Sequence, residues 1–310
     1  MHVTVVGAGA LGRVYGVNLA AAGATVDFLV RASRLGETDP FVVEEITGAK
    51  RQTRIESPRR VAAIAPATEV VIVTVRFDQL DAELVDLLSA APRAAVVVVT
   101  PMLPAQRDLL LSALGRRVVP AMPGVSGYSD DRGVVRYWVV SIVSTLLDDP
   151  GPNDPLRATV DALARELTRA HLPARLERDV GPLDGATTIS FFPFIAAIDA
   201  GGGIDGALAD KELVQLVLDA ARECDAVART VGKIAAFANL LFRFAGPYTI
   251  KPGVGLARRL FPESVRFVEA HFGNKLHAQH LAMGQAIVTL AASRGVEVPA
   301  LTELCARLRR

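Results

Sequence analysis

The chain has 310 residues, 51% hydrophobic and 22% charged, with 25 Gly and 18 Pro scattered rather than gathered into repeats, which excludes a disordered tail protein. Its 34 Lys and Arg stand against 33 Asp and Glu, and a formal charge of +1 leaves no electrostatic footprint for nucleic acid or an anionic membrane. Mean hydropathy is +0.33, yet the apolar runs at 70–75 and 94–99 are strand-sized, 134–147 contains Arg136, and 191–209 is broken by Asp199, a triple glycine and Asp205, so no membrane span is expected. The start, Met1-His2-Val3-Thr4-Val5-Val6, lacks a basic n-region, and Cys224 and Cys305 stand alone. A cytoplasmic protein without structural disulfides is expected.

In chain order, short β-branched runs predict strands at 2–6, 25–30, 70–75, 94–100 and 117–121, the pattern of a parallel sheet covered on both faces. Between them, helices are predicted at 10–22, ended by Gly23, and at 78–91, ended before Pro92. The pairs 41–47 with 52–57, and 133–137 with 139–147, read as antiparallel additions at the sheet edge. After a turn-rich linker at 148–155, a helix to Ala170 and a strand at 174–176 complete the first domain, residues 1–177. Residues 178–310 lose strand signals and predict helices at 179–200, 207–231, 233–244, 262–293 and 299–309. The expected fold class is α/β: a Rossmann-type parallel-sheet domain followed by a mostly α-helical domain.

Gly7-Ala8-Gly9-Ala10-Leu11-Gly12 follows the first strand and opens the first helix. Gly7 permits a tight turn, Gly9 lets a pyrophosphate approach the backbone, and Gly12 lets the helix lie close to the strand, so these six residues predict dinucleotide binding. Where an NAD enzyme of this fold carries a carboxylate, at the end of the second strand, stand Arg31, Ser33 and Arg34; Asp27 lies inside the strand. Guanidinium and hydroxyl groups bind a 2′-phosphate, which predicts NADP. Val75, Gln79 and Thr100 follow the next strands and join the cofactor set, and Arg76 is placed to touch cofactor or substrate, or to form a surface ion pair.

These motifs resemble the ketopantoate reductase family, in Val-Val-Gly-Ala-Gly-Ala-Leu-Gly, Arg31, Arg76 with Gln79, and a helical second domain ending in Gly295-Val296-Glu297-Val298-Pro299. The resemblance implies NADP bound between the domains, Gln79 near the adenine, and substrate held by the helical domain. It also marks departures. Arg76 replaces a family lysine, Thr100-Pro101-Met102 replaces Asn-Gly, Asp184, Thr188 and Phe192 take the places of a lysine and two asparagines, and the family's glutamate falls at Ala278. An ionised Asp184 could neither give a proton nor tolerate an anionic substrate, which disfavours ketopantoate.

In Glu269-Ala-His271-Phe-Gly-Asn-Lys275-Leu-His277-Ala-Gln-His280, helical spacing puts Glu269, Gly273, His277 and His280 on one face and His271 with Lys275 on another. His277 or Lys275 is a candidate proton donor; the rival readings are a solvated face and a metal pair, and no metal is expected because a third ligand is lacking. Tyr248 and Lys251 fall between Pro247 and Pro252, read as a rigid turn. Phe191, Phe192, Phe194, Phe237, Phe242 and Phe244 predict an apolar core or pocket wall, hence a substrate less polar than pantoate. The expected function is NADP-dependent hydride transfer to or from a carbonyl or imine other than ketopantoate, with Arg76, Asp184, Thr188 and His277 as candidate catalytic residues. The alternatives are a non-redox use of the scaffold, as a cofactor sensor or cyclase-like enzyme, and a true 2-dehydropantoate 2-reductase. The expected partner is a small molecule, apolar in character, and a homodimer is a candidate assembly.

Overall fold

The computed structural model describes residues 1–139, 143–236, 238–239, 246, 248–260, 262–272 and 276–309, which fold as two compact units, Met1–Gly181 and Pro182–Arg310. In the first unit, β1 (His2–Val6), β2 (Thr25–Leu29), β5 (Arg59–Val61), β6 (Val70–Val73), β7 (Ala95–Val98) and β8 (Val118–Met122) pair in parallel. With β11 (Thr145–Asp148) and β12 (Ala174–Glu177) they make one sheet in the order β12-β11-β8-β7-β6-β1-β2-β5, in which β11 runs antiparallel to β8. Every residue of β6 and β7 is buried, as expected of strands covered on both faces.

The remaining strands form a second sheet of their own. It joins β3 (Phe41–Glu45), β4 (Gln52–Ile55), β9 (Val125–Ser129) and β10 (Val135–Val139) in the order β4-β3-β10-β9. The antiparallel pairing of β3 with β4 was anticipated, but not as an edge of the main sheet. The hairpin expected between 133–137 and 139–147 does not form: β10 takes β9 as its antiparallel partner and β3 as its parallel one, and β11 joins the main sheet. The segment of β9, Val-Ser-Gly-Tyr-Ser, has too few β-branched residues to announce a strand.

Helix α1 (Ala10–Ala21) packs on β1 and β2. A Cβ on Gly16 would lie 2.4 Å from Cε1 of Phe28, so only glycine lets the helix come this near. Its end follows the expected stop: Gly23 has φ +98°, and the amides of Gly23 and Ala24 reach back to the carbonyls of Ala20 and Leu19. The predicted helix 78–91 is shortened to α2 (Ala82–Ser89), because Asp81 caps it by accepting from the Leu84 amide at 3.0 Å; before it lies one 3₁₀ turn, Phe77–Gln79. Helix α3 (Pro104–Leu114), with proline in its first turn, fills the gap between the strands expected at 94–100 and 117–121, and α4 (Arg157–Arg169) lies where a helix to Ala170 is expected.

The second unit is helical. Its described residues form α5 (Val180–Ala200, entering the unit at Pro182), α6 (Ile204–Ala209), α7 (Lys211–Val231), α8 (Ile250–Leu260), α9 (Pro262–Phe272), α10 (His277–Ser293) and α11 (Pro299–Leu308). The single helix expected at 207–231 divides at Asp210, whose side chain caps α7 by accepting from the Leu213 amide at 2.9 Å. Lys251 and Pro252 lie in α8, not in a rigid turn; Pro252 occupies the first turn, where its missing N–H breaks no bond. Half of the predicted helix at 233–244 lies outside the described residues, as do Phe237, Phe242, Phe244, Gly273 and Lys275.

Candidate functional site

The six residues from Gly7 to Gly12 form the turn from β1 into α1. Gly7 has φ +99°, a conformation that side chains oppose. A Cβ on Gly12 would lie 1.9 Å from the Gly7 carbonyl oxygen and 2.7 Å from Thr74 Oγ1, which makes this contact the tightest constraint in the turn. Thr74, just past β6, donates its hydroxyl to Gly7 O at 2.8 Å. Thr74 carries no signal of its own in the sequence, being a lone threonine after a valine run. A Cβ on Gly9 would meet nothing within 4 Å, and Gly9 offers no side chain to cap the helix amides behind it. Ala8 is buried; Ala10 and Leu11 are half-buried in the first turn of α1. The turn is thus a backbone cradle at a helix N-terminus, open where a phosphate would lie, and its residues fit a dinucleotide.

At the end of β2, Arg31 and Ser33 are exposed, while Arg34 is held by Glu37 through Nε and Nη2 at 2.9 and 2.8 Å. Asp27 is fully buried and spent on His2 Nε2 at 2.9 Å and Arg59 Nε at 3.2 Å, so it is withdrawn from any ribose. On the neighbouring strands, the Arg76 guanidinium binds Asp78 at 2.9 and 3.0 Å, the surface ion pair weighed from the sequence. The Arg76 amide donates to Gln79 Oε1 at 3.1 Å, and Thr100 Oγ1 donates to Val75 O at 2.5 Å, joining the loops that follow β6 and β7.

In the second unit, Asp184 and Thr188 are one turn apart on α5, which places them on one face. Asp184 is buried, and burial pushes its carboxyl up to about 8. Burial therefore favours the neutral acid, whereas an ionised carboxylate is expected from the sequence alone. Phe192, on the same stripe, has no exposed surface; a Cβ on Gly284 of α10 would lie 2.9 Å from its ring, so it is packed core.

His277 is not beside these residues. Its Nδ1 donates to Asp199 Oδ2 at 3.0 Å, and His280 Nδ1 donates to the same oxygen at 2.7 Å. Along α5, the rise per residue separates Asp199 from Asp184 by about 22 Å. His280 is buried, and desolvation lowers its basicity against the opposing pull of Asp199. Glu269, expected on the face of His277, instead pairs with Arg258 at 3.3 Å. Asp199 was legible in the sequence only as an interruption of an apolar run.

Among the described residues, no group of three His, Cys, Asp or Glu side chains is placed to hold a metal. Both cysteines are buried, and burial raises both thiols, that of Cys305 to about 11, which leaves them unreactive. One described helix, α5, is long and apolar enough to cross a membrane by length and composition, and 61% of its apolar window is buried in the protein.

Residues 3–101 match the family described as Ketopantoate reductase PanE/ApbA. Comparison with curated proteins gives no match. Among solved structures, the chain is similar to 2-dehydropantoate 2-reductase from Geobacter metallireducens GS-15, with TM-score 0.72, 18% identity, and 100% of this chain and 99% of that one covered. It is equally similar in fold to the PanE/ApbA family ketopantoate reductase from Ralstonia eutropha JMP134, at TM-score 0.72, 20% identity, and 100% and 97% coverage. A D-mandelate dehydrogenase solved with NADH and anilino(oxo)acetate follows at TM-score 0.67, 15% identity, and 100% and 97% coverage. The ketopantoate reductase signature thus lies in residues 3–101, on a whole-chain fold shared with ketopantoate reductases.

Proposed function

We propose that the protein is an NADP-dependent oxidoreductase that transfers hydride to or from a carbonyl or imine carbon other than that of ketopantoate. The observation that carries this reading is the cradle itself: a helix N-terminus kept open at Gly9 and pinned by Gly12 against Gly7. When bound, the nicotinamide supplies or accepts the hydride. The exposed guanidinium of Arg31 and the hydroxyl of Ser33 favour the 2′-phosphate, and the withdrawal of Asp27 removes the carboxylate that would favour NAD. Asp184 gives its carboxyl proton to the oxygen of the reduced carbonyl and regains one from solvent; Thr188, a turn away, offers a second hydroxyl to that oxygen.

The departures from the family pattern support a substrate other than ketopantoate. A neutral acid replaces a cationic lysine, which disfavours a substrate held by its carboxylate alone, and Phe192, packed in the core, offers no amide in place of the family's asparagine. The likeness to D-mandelate dehydrogenase supports 2-oxo acids with an aromatic substituent as the first class to test. Purified protein with NADPH, followed at the nicotinamide absorbance band, is expected to turn over an aryl 2-oxo acid and not ketopantoate. Robust turnover of ketopantoate would overturn the substrate assignment.

A further inference from the structure

Beyond β2 the chain makes one 3₁₀ turn, Ala32–Arg34, and passes Glu37 and Asp39 before entering β3 at Phe41. The Phe41 ring is buried and carries two guanidinium groups, those of Arg13 at 4.4 Å and Arg60 at 4.7 Å from its centroid. The ring fixes both cations through its negative face. Arg60 is held further by Nη2, which donates to the Asp39 carbonyl at 2.7 Å, and its side chain is only 4% exposed. Its Nε has no hydrogen-bond partner among the described residues; Glu37 Oε2 lies 3.9 Å away.

Glu37 is therefore asked to serve several cations at once. It accepts two hydrogen bonds from Arg34, stands just outside hydrogen-bond reach of Arg60, and feels Arg13 at longer range. At this corner Arg13 is repelled by both Arg34 and Arg60 and attracted by Glu37 and Asp39, while Glu37 feels all three cations. A single carboxylate cannot saturate such a set. A phosphate can: it carries more charge and more acceptor oxygens.

We propose that Glu37 is a specificity-determining residue: its carboxylate holds the place on Arg34 and beside Arg60 that the 2′-phosphate of NADP takes on binding, so the resident anion sets how far NADP is favoured over NAD. The inference rests on the dinucleotide reading above. Glu37 is itself about a third exposed, so it leaves for solvent when the phosphate arrives. With NAD it stays on Arg34, and the dinucleotide gains nothing from the cluster.

The test is calorimetric titration of the parent protein and of Glu37→Gln with NADPH, with NADH and with adenosine 2′,5′-bisphosphate. Freeing Arg34 from this partly exposed pair is expected to tighten NADPH and the bisphosphate about fivefold and to leave NADH within about twofold. In an Arg34→Gln background the same change should have a smaller effect. Unchanged NADPH affinity would overturn the proposal. So would selective weakening of NADH, which would make Glu37 a ligand of the ribose hydroxyls. If the parent binds neither dinucleotide, the cofactor reading itself fails, and this inference with it; binding of both with no response to Glu37→Gln sinks this inference alone.

Discussion

Thr74 Oγ1 donates to the carbonyl oxygen of Gly7 at 2.8 Å, and so the residue after β6 locks the turn that follows β1. Gly7, in the left-handed region, has no side chain to hold it there. Thr74→Val keeps the shape and removes the bond. It is expected to cost about 1 kcal/mol of stability and to weaken NADPH binding several-fold, read by chemical unfolding and by titration. Unchanged affinity would mean that the cradle keeps its form without this clamp.

Arg31 is exposed beside a 3₁₀ turn whose other arginine is engaged by Glu37. Arg31→Ala is expected to weaken NADPH about tenfold while NADH changes less than about twofold, since only the former carries the extra phosphate. Equal losses for both dinucleotides would count against the NADP preference.

Burial holds the Asp184 carboxyl at about 8, above the ordinary aspartate value. Between about pH 4 and 8 the folded protein keeps a proton that the unfolded chain has lost, so stability falls as pH rises through this window and levels off above 8. Asp184→Asn should remove that slope, with a gain on the order of 3 kcal/mol between pH 5 and 8 if no other group replaces it. The reduction rate should fall as pH rises through about 8, because only the acid form donates. A rate that rises over the same range would remove Asp184 as the proton donor.

Asp199 joins α5 to α10 by taking both imidazole N–H groups. Asp199→Ala should destabilise the second unit by about 2 kcal/mol, since the buried His280 loses its acceptor. Desolvation keeps His280 below its ordinary basicity, so the unfolded chain takes up a proton first as pH falls through about 6.5. Stability should therefore drop as pH falls below about 6.5, and less steeply in His280→Gln. Thermal unfolding at and below that pH reads both effects.

Much of the first unit was legible because valine-rich strands, a glycine turn and a Gly23 stop are local signals, and each appears in the fold where local chemistry put it. The second sheet was not: β9 is poor in β-branched residues, and the sheet depends on the parallel pairing of β10 with β3, far apart in the chain, which no local pattern encodes. In the site, the separate tasks of Gly7, Gly9 and Gly12 could be read from spacing. The protonation of Asp184 could not, because it depends on burial, which its position on a helix does not reveal. Nor could the union of His277 and His280 on Asp199, contributed by a distant helix.

The central claim is hydride transfer, and NADPH deuterated at C4 of the nicotinamide tests it most directly. After incubation with a panel of aryl 2-oxo acids and related carbonyls, the alcohol formed should be one mass unit heavier than that from ordinary NADPH, and Asp184→Asn should slow its appearance. Tight binding of NADPH with no label in any product would contradict the account and point to a non-redox use of the same scaffold.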